Sequence, residues 1–485
     1  LDGLTQEMAG SCGAKMANLG EMRNRLHLHT PKGFAITATA YKHFLEKTGL
    51  AETLADKLAA ADVSDLAALE IVSQEVQELI RLAEIPADLA QAMGDAARSF
   101  GGRKIAVRSS AVGEDTEFSF AGQFATLLNV SPADLPAHYK EIVASKFTSQ
   151  AIFYWKYQKF SIHELPMAVG CLEMVSARAS GVMFSLDPHA PENHRIIISA
   201  VWGLGKFAVD GSVSPDIYEL GKTEGFPLLR RRLGDKHKAL LMQPQGGLVA
   251  APLSPEQANA PCLDEAHLQT LAGMAVQLEE HFHGPQDIEW ALDEAGQIFV
   301  LQSRPLRVSE PAFQDLKQER PVISAAPLLE HGVRAVGGTA AGQVYVLKRE
   351  EDIAAIPAGA IVVIRQPSAR LVQVMDRIGA ILTAVGSPTD HMTILAREFQ
   401  VPTLVDVKGV LETLATGQKI TVDADLALVY PGIIPELLRK IDKKPESWRR
   451  EPVFALLKRV LVHISPLNLL DPTSPDFVAG SCRTL

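Results

Sequence analysis

The stretch "QDIEWALDEAGQIFVLQSRP", residues 286–305, decides how the N-terminal part of the chain reads. Two runs of alternating character flank "DEAG", a turn signal, so the spacing predicts a β-hairpin. Side chains two apart on a strand share a face. That rule puts Asp287 with Glu289 and, on the returning strand, Gln302 with Arg304. A carboxylate and an amide oxygen facing each other across a hairpin suit Mg²⁺, which prefers oxygen ligands. Arg304 beside them is placed to grip a phosphate, although a polar solvent face would show the same pattern.

Two earlier stretches have the same flavour. "GSCGAKMANLGEM" (10–22) is a glycine-punctuated turn with Lys15 that runs into a helix. Glycines let backbone N–H groups approach phosphates, and a lysine adds a compact positive charge. It is neither a Walker loop nor a dinucleotide fingerprint, and a helix entry with a surface lysine reads equally well. In "IAVRSSAVGEDTEFSFAGQFATLLNV" (105–130) a strand delivers Arg108 into a long small-residue loop that returns through Gly122 and Gln123. Arginine suits bidentate phosphate contact, and such a loop can fold over a triphosphate. His281 and His283 lack a third convergent ligand for a transition metal, and they are read as loop histidines, as are His27 and His29.

Around these stretches, helical patterns (55–83) alternate with β-rich runs at 104–110, 180–187 and 195–203. The material is α+β or α/β, and it predicts a first domain over 1–307. Residues 308–335, rich in proline and charge, read as a linker with one short helix. Six short strands interleaved with helices then predict a compact βα domain over 336–432. Residues 433–485 read as a basic helical segment and a loop, the start of a further region, and the chain as part of a longer one.

The chain has 485 residues, 47% of them hydrophobic, and a formal net charge of -10. One compact core does not accommodate that length. The negative charge argues against general nucleic-acid binding. Cys12, Cys171, Cys262 and Cys482 are scattered, with no ligand spacing, as expected of reduced thiols in the cytoplasm. No apolar run approaches the roughly 20 residues that cross a bilayer, and no signal peptide opens the chain. Whether identical chains associate is left open.

The second domain carries "SPTDHMTILAREF", 387–399, with His391 where a turn becomes a helix. Thr389 or Asp390 can cap that helix. A helix N-terminus, with partial positive charge and free N–H donors, keeps an imidazole neutral and welcomes a phosphate. A capping or packing histidine satisfies the same pattern.

Taken together and in order, "GAKMANLGEM", "TPKGFAIT", "VRSSAVGED…SFAGQF", "SGVMFSLDP", "WGLGKFAVDGSVSPD" and the hairpin resemble the phosphoenolpyruvate synthase and pyruvate phosphate dikinase family over nearly all of 1–307. "GGTAAGQVYV", "TDHMTILAREFQVPTLV" and "GQKITVDADLALVYPG" are similar to the swivelling phosphohistidine domain of the same enzymes. The resemblance implies an ATP-grasp-like domain followed by a swivelling domain. It implies that Lys15 and Arg108 contact ATP phosphates, that Gly122, Gln123 and Thr126 close over the nucleotide, and that Glu289 and Gln302 hold Mg²⁺. Asp287 then supports the metal shell and Arg304 meets the phosphate in transfer. His391 becomes the carrier of the β-phosphoryl group, passed to an acceptor for which pyruvate is the commonest choice. Two positions depart from the family: Leu172 where many relatives have Gln, and Lys206 where most have Glu. They motivate the rival expectation of a nucleotide-responsive module with a decayed kinase site.

Overall fold

Asp65 starts a helix by accepting hydrogen bonds from the Ala67 and Ala68 N–H groups at 3.0 Å each. Leu69, Val76 and Ile80 then fall on the buried face of that helix, Leu66–Leu82. Full burial of each such side chain stabilises by roughly 1.5–3 kcal/mol. With Leu50–Ala60 this helix fulfils the helical pattern expected over 55–83. Further helices, Ala38–Lys47, Ala87–Ala97, Leu135–Ser145 and Ser149–Tyr157, share one apolar core with strand Ile105–Ala111. That strand belongs to a four-stranded antiparallel sheet ordered Gly33–Ile36, Met167–Glu173, Ile105–Ala111, Thr126–Val130. The computed structural model describes residues 1–438 except 64, 114–123, 158–165, 189, 307, 309–322 and 324. Gly122, Gln123, most of the expected linker and nearly all of the basic segment lie outside the described residues.

The expected hairpin forms as strands Gln286–Asp293 and Ile298–Pro305. It makes one edge of a six-stranded antiparallel sheet that continues through Ala177–Phe184, Arg195–Trp202, Asp216–Gly221 and Leu228–Arg232. Helices Ala9–Asn24 and Glu265–His281 bury Met16, Leu19, Leu271 and Leu278 in a core with Trp290 and Ile198 from this sheet. Helix Ala9–Asn24 also reaches the four-stranded sheet, so it bridges the two.

The third sheet is mixed. Its central strands Thr339–Val346, Ile361–Ile364, Ala380–Thr383 and Thr403–Val405 run parallel. "IVVI" and "AILT" are fully buried, the composition expected of a parallel sheet covered on both faces. Lys419–Asp423 and Leu428–Pro431 extend one side antiparallel. The other side ends in Val333–Val336, which pairs antiparallel with Thr403–Val405. Residues 333–335 were expected in the linker and instead begin this sheet; Leu328 also donates its N–H to the Val429 carbonyl at 2.7 Å. The fold is thus a mixed helix-and-sheet multidomain arrangement.

Residues Leu1–Leu437 pack as one unit. The apolar core around Tyr154 and Trp155 runs on into Met392, Leu395 and Ala396 of the His391 domain. Tyr157 and Phe399 extend that contact with ring centroids 5.4 Å apart. Among the described residues no helix is long and apolar enough to cross a membrane.

Candidate functional site

Gly13 breaks helix Ala9–Asn24 with φ 75° and ψ 156°. A side chain there would overlap the Ser110 carbonyl, so glycine lets this turn lie flush on the strand that carries Arg108. Ser110 fastens it, donating to the Cys12 carbonyl at 2.7 Å and accepting from the Met16 N–H at 3.2 Å. On the next turn of the helix, the Asn18 amide donates to the Ser303 carbonyl at 2.9 Å. Lys15 is buried on a helix anchored to both sheets.

Arg108 crosses from the four-stranded sheet to the six-stranded one. Its guanidinium donates to Gln302 Oε1 and, at 3.4 Å, to the Leu301 carbonyl. It lies 4.0 Å from the Glu289 carboxylate. Leu301 is available because the hairpin shifts register there: Glu289 faces Gln302, but Trp290 faces Val300. The carbonyl of the extra residue in this bulge is the one that Arg108 reaches. Asp287 faces Arg304 and accepts from its Nε at 3.0 Å and Nη2 at 2.9 Å. The structure therefore brings Arg108, Glu289 and Gln302 together, with Arg304 and Asp287 on the same hairpin face. Thr126 starts the strand beside Arg108, in register with it.

His391 is the first residue of helix His391–Glu398. Of the two candidate caps, Asp390 takes the role, accepting from the Thr393 N–H at 2.8 Å. Thr389 contacts Ser387 at 2.8 Å and, across the domain boundary, Ser199 at 3.2 Å. Ser199 faces Val182 on the neighbouring strand, and Val182 faces Glu289 on the next. Cross-strand partners share a face. The His391 loop is thus seated on the face of the sheet that presents Glu289, Gln302, Asp287 and Arg304.

Arg397, on the same helix, is buried, and burial pulls its pKa down to about 10 against the opposing charges of Asp287, Asp390, Asp187 and Glu398. Its Nη2 donates to the Pro388 carbonyl at 3.4 Å. Sequence reading placed Arg397 in a motif but gave it no role; its proximity to Asp287 has no local signal.

Asp390 is held away from water. Burial pushes its carboxyl up to about 7, with Asp210 adding to the rise and the Thr393 and Ser387 N–H groups opposing it. A raised folded value means that its contribution to stability is fully present below the unfolded value of 3.8 and is lost as pH climbs to about 7. Melting midpoints of the wild type should therefore fall from about pH 5 to about pH 8. Asp390→Asn, which keeps a capping side chain, should flatten that slope; equal slopes would rule out this origin.

The two departures from the family pattern have simple positions. Leu172 is buried in the core that holds Met16 and Leu19. Lys206 opens the short helix Lys206–Val209 with its side chain exposed. His281 pairs with Glu21 at 3.1 Å. No group of three His, Cys, Asp or Glu able to hold a metal occurs among the described residues.

Residues 9–321 match the family described as the pyruvate phosphate dikinase AMP/ATP-binding domain, and residues 356–426 match the mobile domain of PEP-utilising enzymes. A probable phosphoenolpyruvate synthase of Methanothermobacter thermautotrophicus is 32% identical over 95% of this chain and 67% of its own length. One from Archaeoglobus fulgidus is 34% identical over 96% of this chain and 61% of its own length. The phosphoenolpyruvate synthase of Pyrococcus furiosus is 33% identical over 88% of this chain and 58% of its own length. The chain thus spans about three fifths to two thirds of the length of these curated relatives. By the family match over residues 9–321, most of its length, this chain belongs to the pyruvate phosphate dikinase AMP/ATP-binding family.

Proposed function

We propose that this chain carries out the ATP half of a phosphoenolpyruvate synthase reaction, with His391 as the phosphoryl carrier. ATP and water are consumed, AMP and phosphate are released, and the β-phosphoryl group remains on the imidazole. It then passes to an acceptor, pyruvate, giving phosphoenolpyruvate. The observation that carries this reading is the seating of the His391 loop, through Thr389 and Ser199, on the face that presents Glu289, Gln302 and Arg304. In this reading 1–307 is an ATP-grasp-like domain and the His391 domain is the swivelling carrier.

Phosphoryl transfer asks the protein mainly for positioning and for charge complementary to the transferring group. Lys15, Arg108 and Arg304 supply positive charge around the phosphates, and Thr126 starts a strand shortly after Gly122 and Gln123 in the chain. The oxygen donors Glu289 and Gln302, opposite one another in register, fit Mg²⁺. Mg²⁺ bound there would neutralise phosphate charge. Asp287 Oδ2 accepts from the Arg304 guanidinium, so its part in the metal shell is to hold that arginine in place. The helix N-terminus at His391 favours the phosphorylated imidazole.

Incubation with β-labelled ATP and Mg²⁺ should leave an acid-labile, base-stable label on the wild type and none on His391→Ala, with AMP formed alongside. ATP bound without label would discard this reading in favour of a nucleotide-gated module.

A further inference from the structure

The His391 domain meets the nucleotide half at a second polar point, just past the C-terminal end of strand Thr403–Val405. Asp406, just past that strand, is 4% exposed and adopts φ 52°. Left-handed backbone favours glycine, and aspartate is among the few other residues that adopt it readily. Both oxygens of Asp406 are engaged. Oδ1 accepts from Ser214 Oγ at 2.7 Å and pairs with Lys408 Nζ at 3.0 Å, while Oδ2 pairs with the Arg232 guanidinium. Lys408 belongs to the same domain as Asp406. Ser214 and Arg232 belong to the six-stranded-sheet side, Arg232 at the end of its edge strand.

This contact can both hold and release. A carboxylate buried against an arginine and a hydroxyl forms charge-assisted hydrogen bonds, the strong kind. When the domains part, Lys408 stays beside the carboxylate and water replaces the other two partners, so no charge is stranded. Close approach nearby is secured by Gly211, where a Cβ would stand 2.6 Å from Pro367 of the His391 domain.

We propose that Asp406, Arg232 and Ser214 form a docking clamp, a set of positioning residues that holds the His391 domain on the nucleotide half and opens before the carrier leaves. Its functional meaning rests on the carrier role of His391; its structural claim does not.

The test uses the full chain as Asp406→Gly and as Arg232→Ala. Glycine suits the backbone at 406, so the first variant keeps the local fold while removing the carboxylate; Arg232→Ala leaves the pair of Asp406 with Lys408 in place. Solution scattering without nucleotide should show a larger radius of gyration in both variants. Labelling of His391 at saturating ATP should slow about tenfold, the loss expected for one charge-assisted contact. Affinity for ATP should stay at the wild-type value, which a general loss of structure would not allow. If both variants scatter like the wild type, the clamp is overturned, whatever the labelling shows. If the wild type takes no label, the carrier reading fails while the scattering still decides the clamp.

Discussion

Glu289→Ala should slow transfer of the β-phosphoryl group to His391 by about 100-fold or more, with ATP affinity changed much less. The reason lies in what Glu289 touches. It faces Gln302 across the hairpin and stands 4.0 Å from the Arg108 guanidinium, so its charge sits where the phosphates and Mg²⁺ would converge. Binding of the nucleotide draws on Lys15 and Arg108 as well and survives the loss of one carboxylate. Transfer depends on charge placed for the transition state, and that is where a missing oxygen ligand is felt most. Glu289→Gln sharpens the test, because it keeps the shape and one oxygen but removes the charge. It should raise the Mg²⁺ concentration needed for half-maximal labelling. Wild-type labelling rates with wild-type Mg²⁺ dependence in both variants would remove Glu289 from the metal site.

The hairpin shows which parts of such a site a sequence displays. Period-two alternation is a local property, so the sharing of one face by Asp287, Glu289, Gln302 and Arg304 was legible before any fold was known. The division of labour among them was not. Asp287 is committed to Arg304 because the two stand opposite in register, and register depends on a turn and a bulge at Leu301. The reach of Arg108 to Gln302 joins two sheets across a separation of 194 positions in the chain. No periodicity within either strand encodes it.

The same limit explains the misplaced boundary near residue 335. "VRAV" is four residues between Gly332 and Gly337, too short to show alternation, and it becomes a strand because Thr403–Val405 offers an edge. Leu172 shows the opposite case. As a departure from a family pattern it raised the prospect of a decayed site, yet a leucine at 4% exposure beside Met16 is an ordinary core residue. Asp406 gave no signal at all in sequence, because its partners at 214 and 232 are far away in the chain and reach it only where the two domains meet.

Lys236→Ala should destabilise the chain by about 3–5 kcal/mol, the cost of breaking a buried ion pair from one side. Lys236 and Asp216 are both fully buried and pair directly. Asp216 also accepts from the Gly234 N–H at 3.0 Å, the Cys262 N–H at 2.9 Å and the Tyr218 hydroxyl at 3.1 Å. With the lysine gone, the carboxylate keeps these donors but loses its counter-charge in a site that water does not reach. Replacing both partners with uncharged residues of similar volume, Asp216→Asn with Lys236→Met, should recover most of the loss, since neither charge is then buried alone. Urea unfolding measures both, and a cost for Lys236→Ala under about 1 kcal/mol, the range of exposed pairs, would contradict the account. The pair also has a positional consequence. Asp216 lies two residues after Ser214, and Gly234, which it holds, lies two after Arg232. The same carboxylate therefore fixes the backbone that aims both clamp donors at Asp406. Lys236→Ala should accordingly expand the scattering envelope in the same direction as Arg232→Ala, even under conditions where the chain remains folded.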